Sequence, residues 1–159
     1  VDEYKGLFSQ YKGHVKIGIC WQGNPRHTND RRRSVSPEMF SPLFNLDETI
    51  LFSLQKDAEL PRDISPYVVD LSQFLKDFSH TSALMEHLDL IITVDTSVAH
   101  LAGAIARPVW VLLPLVPDWR WGISLDFTPW YPTMRLFRQR EQDKWDDVFK
   151  RLRRALVQG

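Results

Sequence analysis

DLIITVDTSVAHLAGAIARPVWVLLP, residues Asp89 to Pro114, is a strand, a tight turn, a helix and a second strand in unbroken succession. Leu90 to Val94 is an apolar run rich in β-branched residues, which predicts a buried strand. Asp95, Thr96 and Ser97 follow, each of a type that caps a helix. Val98, Leu101, Ala102 and Ile105 keep helical spacing and predict one apolar stripe. Pro108 stops that helix, and Val109 to Leu113 is a second buried strand. A strand, a helix and a short return make a parallel crossover unit. Parallel sheets bind ligands beyond the carboxyl ends of their strands, where Asp95 to Ser97 falls, at the positive end of a helix dipole.

His100 stands four residues after Thr96 and so shares a helix face with it, away from the predicted apolar stripe. Helical side chains lean toward the N-terminus, which tilts His100 back to the capped end. Backbone N–H groups, hydroxyls and an imidazole would then converge on an anion. The competing reading has Asp95 and Thr96 as caps only and His100 as a satisfied, half-buried histidine.

Outward from this unit, Tyr4, Leu7, Phe8 and Tyr11 predict an amphipathic helix near residues 2–12, with Gly13 as its stop. Val15 to Trp21 is a first strand, followed by the loop Gly23 to Ser34, GNPRHTNDRRRS. That loop holds four arginines, a histidine and two asparagines at a strand's carboxyl end. Arg31, Arg32 and Arg33 read either as a solvated run or as a guanidinium clamp for an anion. Ser36 and Pro37 open a helix that carries Met39, Phe40 and Leu43 inward. Ile50 to Leu54 is a second strand, ending in Gln55, Lys56 and Asp57. Lys56 is thus a second cation at the sheet's binding edge, or a solvated lysine. Val68 and Val69 form a short third strand, residues 74–78 a turn-rich link, and Thr81 or Ser82 a cap for a helix burying Leu84, Met85 and Leu88.

After the central unit, Pro114, Pro117, Pro129 and Pro132 share a stretch with Trp119, Trp121 and Trp130. This predicts an ordered loop packed by its own aromatics. Its tryptophans either stack on a base or sugar ring or fill the core beneath the loop. Arg135 to Phe137 is a last short strand, and Trp145, Val148, Phe149, Leu152 and Leu156 stripe a C-terminal helix.

With 159 residues the chain fits one domain, residues 1–159. Lysine plus arginine equals aspartate plus glutamate at 20 each, so charge gives no case for nucleic acid or an anionic membrane. No apolar run is long enough to span a membrane. Cys20 is the one cysteine, so no internal disulfide forms and a reducing, cytoplasmic location is the expectation. The chain begins with Val, which suggests a piece of a longer protein. The sequence has neither G-x-G-x-x-G nor the phosphate loop, no G-x-S-x-G, and no zinc-like spacing.

Asp95-Thr96-Ser97-Val98-Ala99-His100-Leu101-Ala102, followed by Pro108 and the strand to Pro114, resembles the D-[TS]-x-x-x-H-x-A signature of ADP-heptose:lipopolysaccharide heptosyltransferases, glycosyltransferase family 9. Gly23-Asn24-Pro25-Arg26, Asn29 to Ser34, and Pro117-Asp118-Trp119-Arg120-Trp121 look closer still to a bacterial subgroup in which a similar domain follows tetratricopeptide repeats. The resemblance runs from about Val15 to Leu156. It implies an α/β fold: a Rossmann-like parallel sheet with helices on both faces, the C-terminal, donor-binding half of a GT-B glycosyltransferase. It implies a nucleotide-diphosphate sugar as substrate, no cofactor, no metal, and inverting transfer to an acceptor that is a glycan, a lipid-linked sugar or a protein. An N-terminal domain or tetratricopeptide repeats of the same protein would be its partners, and the catalytic base would lie in the other half. Carried over by position, the donor site comprises Gly23, Asn24, Arg26, Arg31, Arg33, Lys56, Asp95, Thr96, Ser97, His100, Asp118 and Trp119. The family usually has glycine where Ser97 stands. Two rival expectations are a non-catalytic module attached to repeats and half of a nucleotide-sugar epimerase.

Overall fold

Short runs that alternate buried faces assemble one parallel sheet. The structure, a computed structural model, describes residues 4–22, 34–56, 60–115, 131–141 and 144–158. Its strands are β1 (Val15–Cys20), β2 (Thr49–Ser53), β3 (Val68–Asp70), β4 (Leu90–Val94), β5 (Val109–Leu113) and β6 (Met134–Arg138). They lie in the order β3-β2-β1-β4-β5-β6, with every pairing parallel. Chain order reverses between β1 and β4, and a crevice opens at such a switch point beyond the strands' carboxyl ends.

The helices are α1 (Lys5–Ser9), α2 (Phe78–Met85), α3 (Ser97–Ala104) and α4 (Asp146–Gln158). They divide between the two faces of the sheet, as the sequence predicts. On one face Phe8, Leu84, Met85, Ala99 and Ala102 meet Phe52, Ile91 and Val111 of the strands. On the other, Phe40, Leu43, Val148, Phe149 and Leu152 meet Ile17, Ile19, Ile92 and Leu112. Successive strand residues thus serve opposite cores, the period-two pattern of a sheet covered on both sides.

Four expectations are corrected in detail. The leading helix is one short turn, Lys5–Ser9, with further turns running to Gly13 at φ 91°. Residues Pro37–Leu43 form a 3-10 rather than an α-helix, and Ser36 makes no side-chain cap. Pro42 lies inside that segment and cannot donate the backbone bond an α-helix needs there. Asp77, not Thr81 or Ser82, caps α2: its Oδ1 accepts from the His80 N–H at 2.9 Å. Finally, the buried face of α3 is Ala99, Ala102 and Gly103, while Val98, Leu101 and Ile105 are only half-buried. Small residues let α3 lie close on β4 and β5, which turns its bulky residues to the flank.

Candidate donor site

The carboxyl edge around β1, β2 and β4 holds Ser53, Gln55, Thr93, Asp95 and Thr96, most of the buried polar residues among those described. Thr93, at the end of β4, is fully buried, and its hydroxyl is 3.1 Å from that of Thr96. Thr96 stands at the N-cap of α3 with extended backbone (φ −141°, ψ 175°) but makes no side-chain cap. Its hydroxyl is committed to Thr93, so the first-turn N–H groups of Ser97 and Val98 have no acceptor within the helix. Those amides and the helix dipole favour an anion at this end.

A cavity of about 280 Å³ opens beside that terminus. Its floor and one wall are apolar: Leu54, Leu75, Val98 and Leu101. Lys56 follows β2 at its rim, Asp77, Phe78 and Thr81 come from the start of α2, and Ser97 from the start of α3. Phe78 is 66 % exposed, an aromatic ring held at the mouth of an apolar hollow. An apolar hollow with a few polar groups at one side is the usual form of a small-molecule site.

His100 leans back along the helix to Asp95, Nε2 to Oδ1 3.6 Å, while its Nδ1 lies 3.4 Å from the Tyr131 hydroxyl. The Tyr131 ring packs directly on Gly103, where a Cβ would come within 2.5 Å of it. Glycine is thus required for the ring to reach His100. The expected site residues therefore fall into two groups. Lys56 and Ser97 line the cavity. Asp95 and His100 pair beside it, and Thr96 is tied beneath it to Thr93. Gly23, Asn24, Arg26, Arg31, Arg33, Asp118 and Trp119 lie outside the described residues. Among the described residues no group of three or more His, Cys, Asp or Glu could hold a metal ion, and no helix is long and apolar enough to cross a membrane.

Gln55 is a residue that sequence reasoning passed over in favour of its neighbour Lys56. It is 8 % exposed, and its Oε1 accepts from the N–H groups of Trp21 (3.1 Å) and Gln22 (3.0 Å) while its Nε2 donates to the Gln22 carbonyl. One side chain therefore fixes how the chain leaves β1 into the arginine-bearing loop. Gln139 does the same across β5 and β6, its Oε1 accepting from the Leu115 N–H. A polar residue directly after a buried strand was the available signal. Gln55→Ala leaves the buried Trp21 N–H unpaired and is expected to lower the unfolding free energy by about 2 kcal/mol. Urea denaturation with an unchanged m-value would check this.

Comparison with known proteins follows the same lines. Residues 75–148 match the model of glycosyltransferase family 9 (heptosyltransferase). The span covers α2, β4, α3 and β5, hence Asp95 to His100. The fold is similar to that of E. coli ADP-heptose lps heptosyltransferase II (TM-score 0.59, 18 % identity), over 96 % of this chain and 50 % of that one. It is similar also to E. coli heptosyltransferase WaaC with ADP (TM-score 0.57, 11 % identity), over 94 % of this chain and 46 % of that one. Among curated proteins it is 27 % identical to Protein FlbA of Caulobacter vibrioides, over 98 % of this chain and 27 % of FlbA. The chain thus spans about half of each heptosyltransferase and about a quarter of FlbA. Sheet order, two-faced helix packing and the matched segment agree: the chain has the α/β fold of the C-terminal half of a GT-B heptosyltransferase, and its residues 75–148 are similar to glycosyltransferase family 9 (heptosyltransferase).

Proposed function

We propose that the domain binds the donor of a glycosyltransferase, a nucleotide-diphosphate sugar, with the nucleoside in the cavity and the diphosphate at the start of α3. The observation that carries this reading is the adjacency of the two features. Ser97 belongs both to the cavity wall and to the helix terminus, and Lys56 stands at the same rim. An apolar hollow suits a base, and unpartnered helix amides beside a lysine suit the phosphates. Sugar transfer builds negative charge on the leaving diphosphate, and a preorganised helix terminus lowers that barrier. The proposal keeps the metal-independent, inverting transfer implied by the family resemblance, with charge met by the α3 amides, Lys56 and the arginines after β1. The Asp95–His100 pair orients the sugar or a phosphate, and the general base belongs to the other half of the enzyme.

Calorimetric titration with ADP, UDP and GDP tests this directly. One of them is expected to bind the folded chain. Ser97→Pro then separates amide from fold: proline is favoured at the first helical position, and the extended Thr96 backbone before it is compatible. The substitution removes one N–H aimed at the phosphates, so affinity is expected to fall about tenfold, 1.4 kcal/mol, with no loss of melting temperature. A folded chain that binds none of the three at millimolar concentration overturns the donor reading and leaves the partner-binding module.

A further inference from the structure

Away from the donor cavity, at the opposite end of the sheet, an open groove of about 500 Å³ runs between edge strand β6 and helix α4. β6 lies four positions from β2 in the sheet, about 19 Å at the usual strand spacing. Arg135, Arg140, Arg151 and Arg154 wall the groove. Among the described residues one carboxylate answers them there: Asp147, 2.9 Å from Arg151 Nε and 3.7 Å from Arg140 Nε. Glu141 is paired with Lys144 at 2.8 Å. Among the described residues Arg135 and Arg154 have no carboxylate partner. Arg135 is nonetheless held in place, its guanidinium carbon 4.7 Å from the Phe137 ring centre and 5.6 Å from that of Trp110. Stacking fixes the plane of the fork and presents its N–H edge to a ligand.

We propose that this groove binds an extended, carboxylate-rich polypeptide segment of a partner protein. Length and chemistry select that occupant. Arg135 lies within β6 and Arg140 two residues past its end at Arg138, and with Arg151 and Arg154 on α4 they spread the positive charge along the groove rather than around one small anion. Single-stranded nucleic acid needs open aromatic faces for its bases. Here Phe137 is 3 % exposed and Arg135 lies over Trp110. Arginine forks match carboxylates two bonds at a time, and such clusters read acidic motifs. In a chain of zero net charge the local excess is a feature of this groove, not of the whole surface.

Fluorescence anisotropy of the 159-residue chain with a labelled peptide of alternating Asp and Ala tests the proposal, against inorganic phosphate and oligothymidylate as competitors. The peptide is expected to bind at low salt, to be released as salt rises, and to lose about tenfold in affinity with Arg154→Glu, an exposed position on α4. Arg135→Lys, which keeps the charge and loses the stacked fork, is expected to weaken it less. No peptide binding, equal binding by Arg154→Glu, or displacement by phosphate or oligothymidylate at lower concentration than by unlabelled peptide overturns the proposal. Neither variant touches the donor cavity, so nucleotide titration of the same samples keeps this result separate from the donor reading.

Discussion

Phe149→Ala is expected to lower the unfolding free energy by about 3–5 kcal/mol, the range for emptying an aromatic site in a packed core. Phe149 is 1 % exposed and meets Phe40 edge-on, ring centres 4.9 Å apart at 76°. Through that pair α4 holds the 3-10 segment Pro37–Leu43 against the sheet, and a bond of 3.1 Å from Arg153 to the Pro42 carbonyl adds to the same contact. Phe149→Leu keeps most of the volume and is expected to cost about 1.5 kcal/mol or less. Urea titration of both variants checks the difference. A drop below 1.5 kcal/mol for the alanine variant would mean that the 3-10 segment relaxes into the void. Because α4 covers the face opposite the cavity beside α3, any nucleotide affinity of the folded fraction should be unchanged.

The central unit was legible because each of its signals is local. β4 and β5 fall on the residues the apolar runs mark, and α3 begins where Thr96 and Ser97 predict. Proline at 108 and left-handed Ala106 (φ 58°) end that helix on schedule. The two-faced sheet followed from strands that are apolar on both faces, such as Leu90–Val94, which is buried throughout and carries one polar residue, Thr93. What the sequence did not disclose depends on packing between distant segments. Periodicity named Val98, Leu101, Ala102 and Ile105 as the core face of α3; Ala102 is buried as expected, but contact with the sheet added Ala99 and Gly103, and Val98 and Leu101 became cavity wall. The link at residues 74–78 hid the cap of α2, because Asp77 competes with Thr81 and Ser82 for that role and only tertiary position decides. Tyr131 as a neighbour of His100, 31 positions away, leaves no trace in any local pattern. Gln55 was obscured by charge: Lys56 drew the anion argument, while the neutral amide beside it carries the bonds that shape the edge.

That displacement of Val98 to the cavity wall supports the sharpest functional test. Val98→Trp puts an indole on the second residue of α3, where it occupies the hollow between Leu54, Leu75 and Leu101. The position is half-buried and outside the Ala99–Ala102–Gly103 face, so the helix can keep its seat on the sheet. Nucleotide binding is expected to weaken at least about a hundredfold, 2.7 kcal/mol or more, since a base cannot share the space. Pyrophosphate distinguishes this from a general loss of the site. It lacks a base and needs only the α3 amides and Lys56, so Val98→Trp should leave its binding within about twofold. Ser97→Pro should instead weaken pyrophosphate and nucleotide together. The two variants, one residue apart, thus share a loss of nucleotide and differ on pyrophosphate if the base lies in the cavity and the phosphates at the helix end. Equal weakening of pyrophosphate and nucleotide by Val98→Trp would mean that the indole disturbs the helix end as a whole, whereas nucleotide binding left unchanged would place the base outside the cavity, elsewhere along the carboxyl edge.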